Sequence, residues 1–353
     1  MNNSIFEKLV NLKNKKIYVI AEMSGNHQNS LEVAKMFIHE AIENRADIIK
    51  FQVYKPETIT FNSNNKDFRV DKDSLWNDYN NLFELYEKAH TPWNWIKELA
   101  SILDKKKFPW FASPFDKTAV DFLESINCQA YKLASPEITD IGLIEYISKT
   151  KKPIVLSTGV ATEIDLDLAI STLKKSHSKF AILKCTSAYP TPVSDLNLNA
   201  IPALKKKYNC PIGFSDHTIG FDSAKTAIAL GSTIIEKHFK IDSDTNSVDE
   251  HFSAKLSDLK KFKTEIETIV ESLGKSTLEI ESSVKGSLSG RRSLYVIKDV
   301  QKGEKFTLDN IRSIRPSFGL HPKYLNEVIE KKATKNIKSG SRLEECLIQG
   351  FKI

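Results

Sequence analysis

The chain has 353 residues, of which 41% are hydrophobic and 27% charged, and its formal net charge is +6. Such a length accommodates one large domain and one small one, and such a composition is ordinary for a globular protein. The small charge excess, with Lys and Glu interspersed, argues against a nucleic-acid-binding protein, and no apolar run approaches the length of a membrane span.

Eight short β-rich segments recur in the first two-thirds of the chain. Most are almost continuously apolar, which is typical of strands buried on both faces of a parallel sheet. Amphipathic helical patterns lie between them, and in the first of these Leu31, Phe37 and Ile38 share one stripe. The predicted strands are residues 17–22, 47–54, 108–113, 130–135, 153–158, 180–187, 211–216 and 233–239, and the predicted helices are residues 30–46, 93–106, 118–126, 163–175 and 222–230.

This alternation of strands and helices predicts an α/β fold, a closed (β/α)₈ TIM barrel, over residues 1–275. An open doubly wound sheet is the alternative. That fold usually has fewer strands, and no glycine-rich phosphate-binding fingerprint follows the first strand here.

Residues 55–92 form one long connection after the second strand. A connection of this length in a compact domain is usually functional, so we expect a lid or a wall of the substrate site. Its stretch LFELYEKAHTPW (82–93) would bring Leu, Phe, Tyr and Trp side chains near the barrel mouth.

The sequence changes in character after residue 275. Residues 276–290 are rich in Ser and Gly and predict a linker. Farther on, KDVQKGEKFTLDNI (298–311) resembles KNIKSGSRLEECLI (335–348), with Gly303 and Gly340 at matching positions. This weak repeat predicts a small pseudo-symmetric β-rich domain over residues 291–353, which at about 60 residues would be marginally stable alone.

Polar side chains gather at the carboxyl ends of the predicted strands, where TIM barrels carry their chemistry. Lys50 and Gln52 share a face because side chains alternate along a strand. Chance scattering would place such groups at both ends of the barrel. The strand-end residues are Glu22, Lys50, Gln52, Ser113, Lys132, Ser135, Glu137, Ser157, Ser187, Tyr189, Ser215, His217, Glu236 and His238.

These side chains suit an anion and a metal. Lys50 and Lys132, with the nearby hydroxyls, suit a ligand that carries phosphate and carboxylate groups. His217 and His238 could share one divalent metal, or each could be a hydrogen-bonded structural residue.

Two further assignments stay open at this point. Glu22 and Glu137 could act as general acid or base, or could orient a sugar hydroxyl. Lys132 could instead be a structural ion-pair partner or the Schiff-base lysine of an aldolase.

The four cysteines, Cys128, Cys185, Cys210 and Cys346, form no CxxC pair and no metal-ligand spacing. Free thiols in a reducing compartment are the simplest interpretation. The first residues, MNNSIFEKLVNLKNKK, lack the apolar core and the cleavage site of a signal peptide. We therefore expect a cytoplasmic protein.

The motifs AEMSGNH, IKFQVY, SPFD, YKLASPEI, LSTG, LKCTSAYPTP, GFSDHT, IIEKHF and RPSFGLHP follow one another along the chain. In order and spacing they resemble the sialic acid synthase family, from about residue 16 to the carboxyl terminus. The tail is similar to the antifreeze-like (SAF) domain of that family.

Within the family, AEMSGNH, LFELYEKAHTPWNW and RPSFGLHPK resemble the branch that forms pseudaminic acid. The resemblance implies a transferase that condenses phosphoenolpyruvate with the open-chain aldehyde of 2,4-diacetamido-2,4,6-trideoxy-L-altrose. C3 of phosphoenolpyruvate would add to the aldehyde, water would attack C2, and phosphate would leave with cleavage of the C–O bond.

Three alternative functions remain. The first is synthesis of another nonulosonate, legionaminic acid or N-acetylneuraminate. The second is a Schiff-base sugar-acid aldolase that uses Lys132. The third is a non-catalytic sugar-binding module, which would have inert strand ends.

The resemblance also implies roles for single residues. His217 and His238 would bind a divalent metal, Mn²⁺ in the first place, with Mg²⁺ or Co²⁺ as alternatives. Arg315 would reach from the tail into the barrel mouth of the partner subunit in a domain-swapped homodimer. The implied catalytic residues are Glu22, Glu137, His217 and His238, the implied phosphoenolpyruvate-binding residues are Lys50, Ser113, Lys132, Ser135, Ser157, Ser187 and Ser215, and the implied sugar-binding residues are Gln52, Tyr189, Asp249 and Arg315.

Overall fold

The structure is a computed structural model that describes residues 4–243 and 246–353. The chain divides into two compact units, Met1–Gly274 and Lys275–Ile353. Residues 1–3, which begin the segment MNNSIFEKLVNLKNKK, lie outside the described residues.

The first unit contains a closed barrel of eight parallel strands, which confirms the predicted fold. The strands are β1 (Tyr18–Glu22), β2 (Ile48–Val53), β3 (Trp110–Pro114), β4 (Tyr131–Leu133), β5 (Ile154–Ser157), β6 (Phe180–Cys185), β7 (Ile212–Asp216) and β8 (Ile234–Lys240). Each strand pairs with the next along the chain, and β1 closes the barrel on β8, with Glu22 opposite His238. A short strand, β9 (Ala254–Lys255), continues beside β8.

Helices alternate with these strands. They are α1 (Ile5–Leu9), α2 (Leu31–Glu43), α3 (Pro56–Ile59), α4 (Leu82–Ala89), α5 (Trp93–Lys105), α6 (Lys117–Ser125), α7 (Ile141–Lys149), α8 (Glu163–Lys175), α9 (Ala200–Tyr208), α10 (Asp222–Ala229) and α11 (Leu256–Leu273). The five predicted helices are α2, α5, α6, α8 and α10. Helices α7, α9 and α11 were not predicted. No helix of the described residues is long and apolar enough to cross a membrane.

Side-chain caps fix the points at which the strand-end loops turn into helices. Asp116 begins α6 by accepting hydrogen bonds from the amides of Thr118 and Ala119, at 2.6 and 3.1 Å. Thr162 and Asp165 form a reciprocal capping box at the start of α8. Such caps satisfy amides that have no partner within the helix. They therefore hold the loops that carry the polar strand-end residues.

Gly213 allows the strands to approach closely inside the barrel. A Cβ at this position of β7 would lie 2.4 Å from Leu183 Cδ2 and 2.6 Å from the carbonyl oxygen of Ile234. Because β6 and β8 flank β7, a larger residue would force the barrel apart. The interior is therefore packed at this level and opens only above it, at the carboxyl ends.

The second unit has an internal pseudo-twofold symmetry. It contains an antiparallel pair, β10 (Ser293–Val296) and β11 (Ile311–Ile314), and a short helix, α12 (Leu325–Val328). Val300 and Ile337, which occupy matching positions of the sequence repeat, exchange backbone hydrogen bonds of 2.9 and 2.8 Å. Gly303 and Gly340 adopt φ values of +83° and +85°, which glycine tolerates best. The repeat in the sequence is thus a repeat in the backbone.

Candidate active site

A cavity of about 530 Å³ opens at the carboxyl ends of the barrel strands. Most of the predicted site residues line it together. Those lining it are Lys50, Gln52, Ser113, Lys132, Ser135, Ser157, Tyr189, Ser215, His217, Glu236, His238 and Asp249.

Four predicted residues are not part of this lining. Glu22 is fully buried and lies behind Lys50. Ser187 lies at the edge of the cavity, with its Oγ 4.0 Å from the sulfur of Cys185. Glu137 is partly buried just after the lining residue Pro136. Arg315 is exposed and belongs to the second unit.

The floor of the cavity contains a buried network of four charges. Lys50 Nζ lies 3.0 Å from Glu22 Oε2 and 2.9 Å from Glu236 Oε2. Lys132 Nζ is 3.9 Å from the other oxygen of Glu236, and it donates a hydrogen bond to the carbonyl of Leu133. Lys50 is therefore neutralised by two carboxylates, whereas Lys132 is paired more loosely and remains available to an anion.

The pKa values of the network follow from burial and these contacts. Burial raises the pKa of Glu22 to about 6, against the attraction of Lys50. Burial lowers the pKa of Lys132 to about 8, against the attraction of Glu236. Burial also disfavours charge on Glu236, but Lys132 and Lys50 outweigh it and lower its pKa to about 2. Glu236 is thus the fixed negative charge around which the lysines are held.

Serine hydroxyls surround this floor. Ser113 and Ser157 are buried, and their hydroxyls have no hydrogen-bond partner among the described residues. Ser135 accepts a hydrogen bond of 2.7 Å from the amide of Gly159, and Ser215 donates one of 2.9 Å to Glu236. Two unpaired hydroxyls beside an ammonium make a site that suits the oxygens of an anion.

His217 and His238 stand side by side, with ring centroids 5.4 Å apart. His217 Nδ1 lies 3.0 Å from the carbonyl oxygen of Thr186, which leaves Nε2 for another ligand. His238 Nδ1 has no hydrogen-bond partner among the described residues, and Asp249 Oδ2 is 3.8 Å away. Burial and the nearby cations hold the pKa of His238 well below its usual range. A neutral imidazole is the form that binds metal.

These two rings fit a divalent metal as part of its coordination shell. Among residues 4–243 and 246–353, no group of three or more His, Cys, Asp and Glu side chains is gathered around one point. Two imidazoles would therefore be the protein's contribution, and the remaining ligands would be oxygens of water or substrate.

A hydrogen-bonded chain links Asp249 to β2. Gln52 Nε2 donates to Ser24 Oγ at 2.9 Å, and Ser24 Oγ donates to Asp249 Oδ2 at 2.5 Å. The amide of Gly25 donates to the same carboxylate oxygen. Ser24 lines the cavity but was not predicted, because it lies in the turn beyond β1 rather than in the strand.

The segment 55–92 forms one wall of the cavity. Trp76 holds the segment to the barrel by donating its indole N–H to the carbonyl of Val248 at 2.9 Å. From α4, Leu82, Leu85 and Tyr86 reach the cavity, but Phe83 and Trp93 line a separate surface groove. The expectation that the Phe and Trp side chains of residues 82–93 would also line the mouth was therefore wrong, because Phe83 lies on the other face of α4 and Trp93 belongs to the next helix, α5.

Comparisons with known proteins identify the family to which the chain belongs. A profile of the NeuB family matches residues 37–277, and a SAF domain profile matches residues 291–343. The chain belongs to the NeuB family. It is 42% identical to the pseudaminic acid synthase of Campylobacter jejuni over 332 residues, which cover 94% of this chain and 96% of that protein. It is 40% identical to the pseudaminic acid synthase of Helicobacter pylori over 92% of this chain and 96% of that protein.

A solved structure of the family has the same fold. The N-acetylneuraminic acid (sialic acid) synthetase of Leptospira borgpetersenii, crystallised with citrate, is 34% identical and superposes with a TM-score of 0.69, covering 77% of this chain and 90% of that chain. The resemblance predicted from the sequence motifs, to the sialic acid synthase family with its SAF domain, is confirmed.

Gly159 permits the close approach of two serine hydroxyls that were predicted to bind an anion. A Cβ there would lie 2.1 Å from Ser187 Oγ and 2.7 Å from Ser135 Oγ. We expect Gly159→Ala to displace both hydroxyls and to weaken the binding of inorganic phosphate about tenfold or more, measured by calorimetry. The control is Gly142→Ala, because the nearest atom to its Cβ would be Asp140 Oδ1 at 3.4 Å. Equal phosphate affinity in both variants would contradict the assignment.

Proposed function

We propose that the protein condenses phosphoenolpyruvate with the open-chain aldehyde of 2,4-diacetamido-2,4,6-trideoxy-L-altrose to give pseudaminic acid and phosphate. The observation that carries this proposal is the single cavity that combines a buried ammonium floor, two neighbouring imidazoles and an apolar wall. The identity of 40–42% to pseudaminic acid synthases over almost the whole chain supports the same reaction.

The cavity floor would bind phosphoenolpyruvate. Lys132 is the less neutralised of the two ammonium groups, and its charge would be balanced by the phosphate or the carboxylate of the ligand. The unpaired hydroxyls of Ser113 and Ser157 would donate hydrogen bonds to ligand oxygens. Ser135, Ser187 and Ser215 complete the proposed set.

His217 and His238 would hold a divalent metal, for which we propose Mn²⁺, with Mg²⁺ and Co²⁺ as alternatives. When bound, the metal supplies Lewis-acid polarisation of the aldehyde oxygen. Gln52, Tyr189 and Asp249, on the same side of the cavity, would orient the sugar. The ring of Tyr189 packs on that of His217 with a centroid distance of 4.4 Å.

Two carboxyl groups would manage protons and water. Burial raises the pKa of Glu137 to about 7, so this group can both hold and release a proton near neutral pH. Its Oε2 atom has no hydrogen-bond partner among the described residues. Glu22 lies behind Lys50, so we propose that it orients the attacking water through that ammonium rather than by direct contact.

The wall from α4 would select the sugar. Leu82, Leu85 and Tyr86 present carbon atoms to the cavity. A 6-methyl group would be buried there at a lower cost in free energy than a 6-hydroxyl group, which would need a hydrogen-bond partner. Synthesis of another nonulosonate is the second candidate, because the N,N'-diacetyllegionaminic acid synthase of C. jejuni is 33% identical to this chain. A Schiff-base aldolase that uses Lys132 is the third.

Isotope transfer tests the reaction. With ¹⁸O in the bridging position of phosphoenolpyruvate, the label should appear in phosphate, because water attacks C2 and the C–O bond breaks. Mass spectrometry of both products checks this outcome. Label retained in the keto acid, or borohydride trapping of pyruvate on Lys132, would overturn the mechanism.

The same assay, run with different sugars, tests the substrate. The value of kcat/KM should be about tenfold or more higher for the diacetamido altrose than for N-acetylmannosamine. Leu85→Ala should reduce this ratio, whereas Phe83→Ala, which lies on the other face of α4, should not. A preference for N-acetylmannosamine would refute the proposed sugar and leave the reaction class intact.

The pKa of Lys132 predicts a pH dependence. With a lowered pKa of about 8, the ammonium is present below pH 8 and is lost as the pH rises above it. The Kd for phosphoenolpyruvate, measured by calorimetry, should therefore rise up to about tenfold per pH unit above pH 8. Lys132→Arg stays charged, so its Kd should not vary with pH in this range. A flat profile for the natural chain between pH 7 and 9.5 would show that the Lys132 charge is not used.

We also propose that the chain forms a homodimer in which Arg315 completes the partner's site. Residues 275–353 carry 16 Lys and Arg against 9 Asp and Glu, whereas residues 1–274 carry 35 against 36. The second unit is therefore the basic one, which suits a cover over an anionic substrate. Arg315 is exposed at the end of β11, and a guanidinium offers several donors to a sugar's oxygens.

Complementation tests the dimer. Arg315→Ala and His217→Ala chains should each be nearly inactive, but an equal mixture of co-refolded chains should recover about a quarter of the natural activity, because half of the dimers would hold one intact composite site. The nearby Arg312→Ala serves as the control and should stay active alone. No recovery in demonstrated heterodimers would count against a shared site.

A further inference from the structure

A buried set of hydrogen bonds on the outer face of the barrel surrounds the backbone of His217. It consists of Asp216, Thr218 and Lys237, each about 1% exposed, and we call it the clasp. Lys237 Nζ lies 3.0 Å from Asp216 Oδ2 and donates to the carbonyl of Thr218 at 2.5 Å. Asp216 Oδ1 accepts hydrogen bonds from the amide and the hydroxyl of Thr218, at 2.9 and 2.7 Å.

The clasp connects the two histidines through the chain. Asp216 and Thr218 flank His217, so the Lys237 ammonium contacts the residues on both sides of it, through the carboxylate of Asp216 and the backbone carbonyl of Thr218. Lys237 itself immediately precedes His238 and is the register partner of Asp216 across β7 and β8. Because side chains alternate along a strand, a contact on the outer face fixes the residues that face inward.

We propose that Asp216 and Lys237 are positioning residues that set the separation of the His217 and His238 rings for binding a divalent cation. The inference rests on the metal role proposed above for the two histidines. Buried partners behind metal ligands commonly control metal affinity because they orient the ligating rings.

Folding stability alone does not account for the clasp. A buried ion pair is often no more stabilising than an apolar pair of the same volume, because both charges lose their hydration. The barrel contains a comparable but less buried pair, Asp47 with Lys263, whose carboxylate likewise accepts a hydrogen bond from a backbone amide, that of Val19, and also lies 3.5 Å from Lys16 Nζ. That pair lies at the amino end of β2, and neither member lines the cavity. It therefore serves as a control for the loss of a charge pair elsewhere in the barrel.

The test compares two double variants of the full chain. The clasp variant is Asp216→Asn with Lys237→Met, and the control variant is Asp47→Asn with Lys263→Met. Each removes both charges of one pair, and the further ion-pair partner affected, Lys16 beside Asp47, is exposed, so neither variant leaves an unpaired buried charge. The measurements are Mn²⁺ affinity by electron paramagnetic resonance, thermal unfolding, and phosphoenolpyruvate binding in metal-free protein.

We expect the clasp variant to bind Mn²⁺ about 10–100-fold more weakly than the natural chain, and the control variant to bind it equally well. Phosphoenolpyruvate affinity without metal should be unchanged in both, because Lys132 and the serines are untouched. Unchanged Mn²⁺ affinity in the clasp variant overturns the positioning role. An equal loss of Mn²⁺ affinity in both variants would assign the effect to general destabilisation, and this result would also overturn the positioning role.

Two further outcomes are distinguishable. If the natural chain binds no Mn²⁺, Mg²⁺ or Co²⁺, the proposed metal role fails and the positioning role fails with it. If the clasp variant does not fold, Thr218→Val replaces it, because this change removes one hydrogen bond and keeps both charges. Its Mn²⁺ affinity should then fall about threefold, an amount expected for one lost hydrogen bond, and an unchanged affinity would refute the proposal.

Discussion

The four-charge network of Glu22, Lys50, Lys132 and Glu236 is the constraint on which the site depends. Each of these groups is almost wholly removed from water, and an isolated charge there would be strongly disfavoured. Two ammonium groups and two carboxylates cancel, so the floor is neutral as a set. The pairing is uneven, however, since Glu236 lies 2.9 Å from Lys50 but 3.9 Å from Lys132. This unevenness leaves one cation that an incoming anion can pair with.

Side chains alternate along each barrel strand, so the residues that face the cavity are different from the residues that hold the strand in place. Along β8, Glu236 and His238 face the cavity, while Lys237 between them faces outward and holds Asp216. The inward residues can therefore meet the ligand without being the residues that hold the backbone. The three consecutive residues Glu236, Lys237 and His238 therefore carry one buried charge inside the barrel, that of Glu236, and one on its outer face, that of Lys237.

Much of the architecture was predictable because its signals are local. Buried strands of a parallel barrel are continuous apolar runs, and their carboxyl ends share one mouth, so the polar residues at those ends could be grouped from the sequence. Ser24 could not be found this way, because its role depends on a turn that brings it to Asp249, more than two hundred positions along the chain. Phe83 was misplaced because the direction of α4 relative to the barrel decides which of its faces meets the cavity. Glu22 was found by its position, but only the structure puts Lys50 between it and the cavity.

The pseudo-twofold symmetry of the second unit makes its folding all-or-none. Each half leaves backbone groups that only the other half satisfies: Gly303 donates to Ala333, and Gly340 donates to Val296 in the equivalent bond. Neither half can thus persist as a folded fragment, because separation would expose a row of unpaired amides and carbonyls. The order of β11, which ends just before Arg315, therefore depends on residues near the carboxyl terminus. Cleavage or truncation of the chain near the carboxyl terminus, far from Arg315 in sequence, would therefore free Arg315 from its position in the same way as a change beside it.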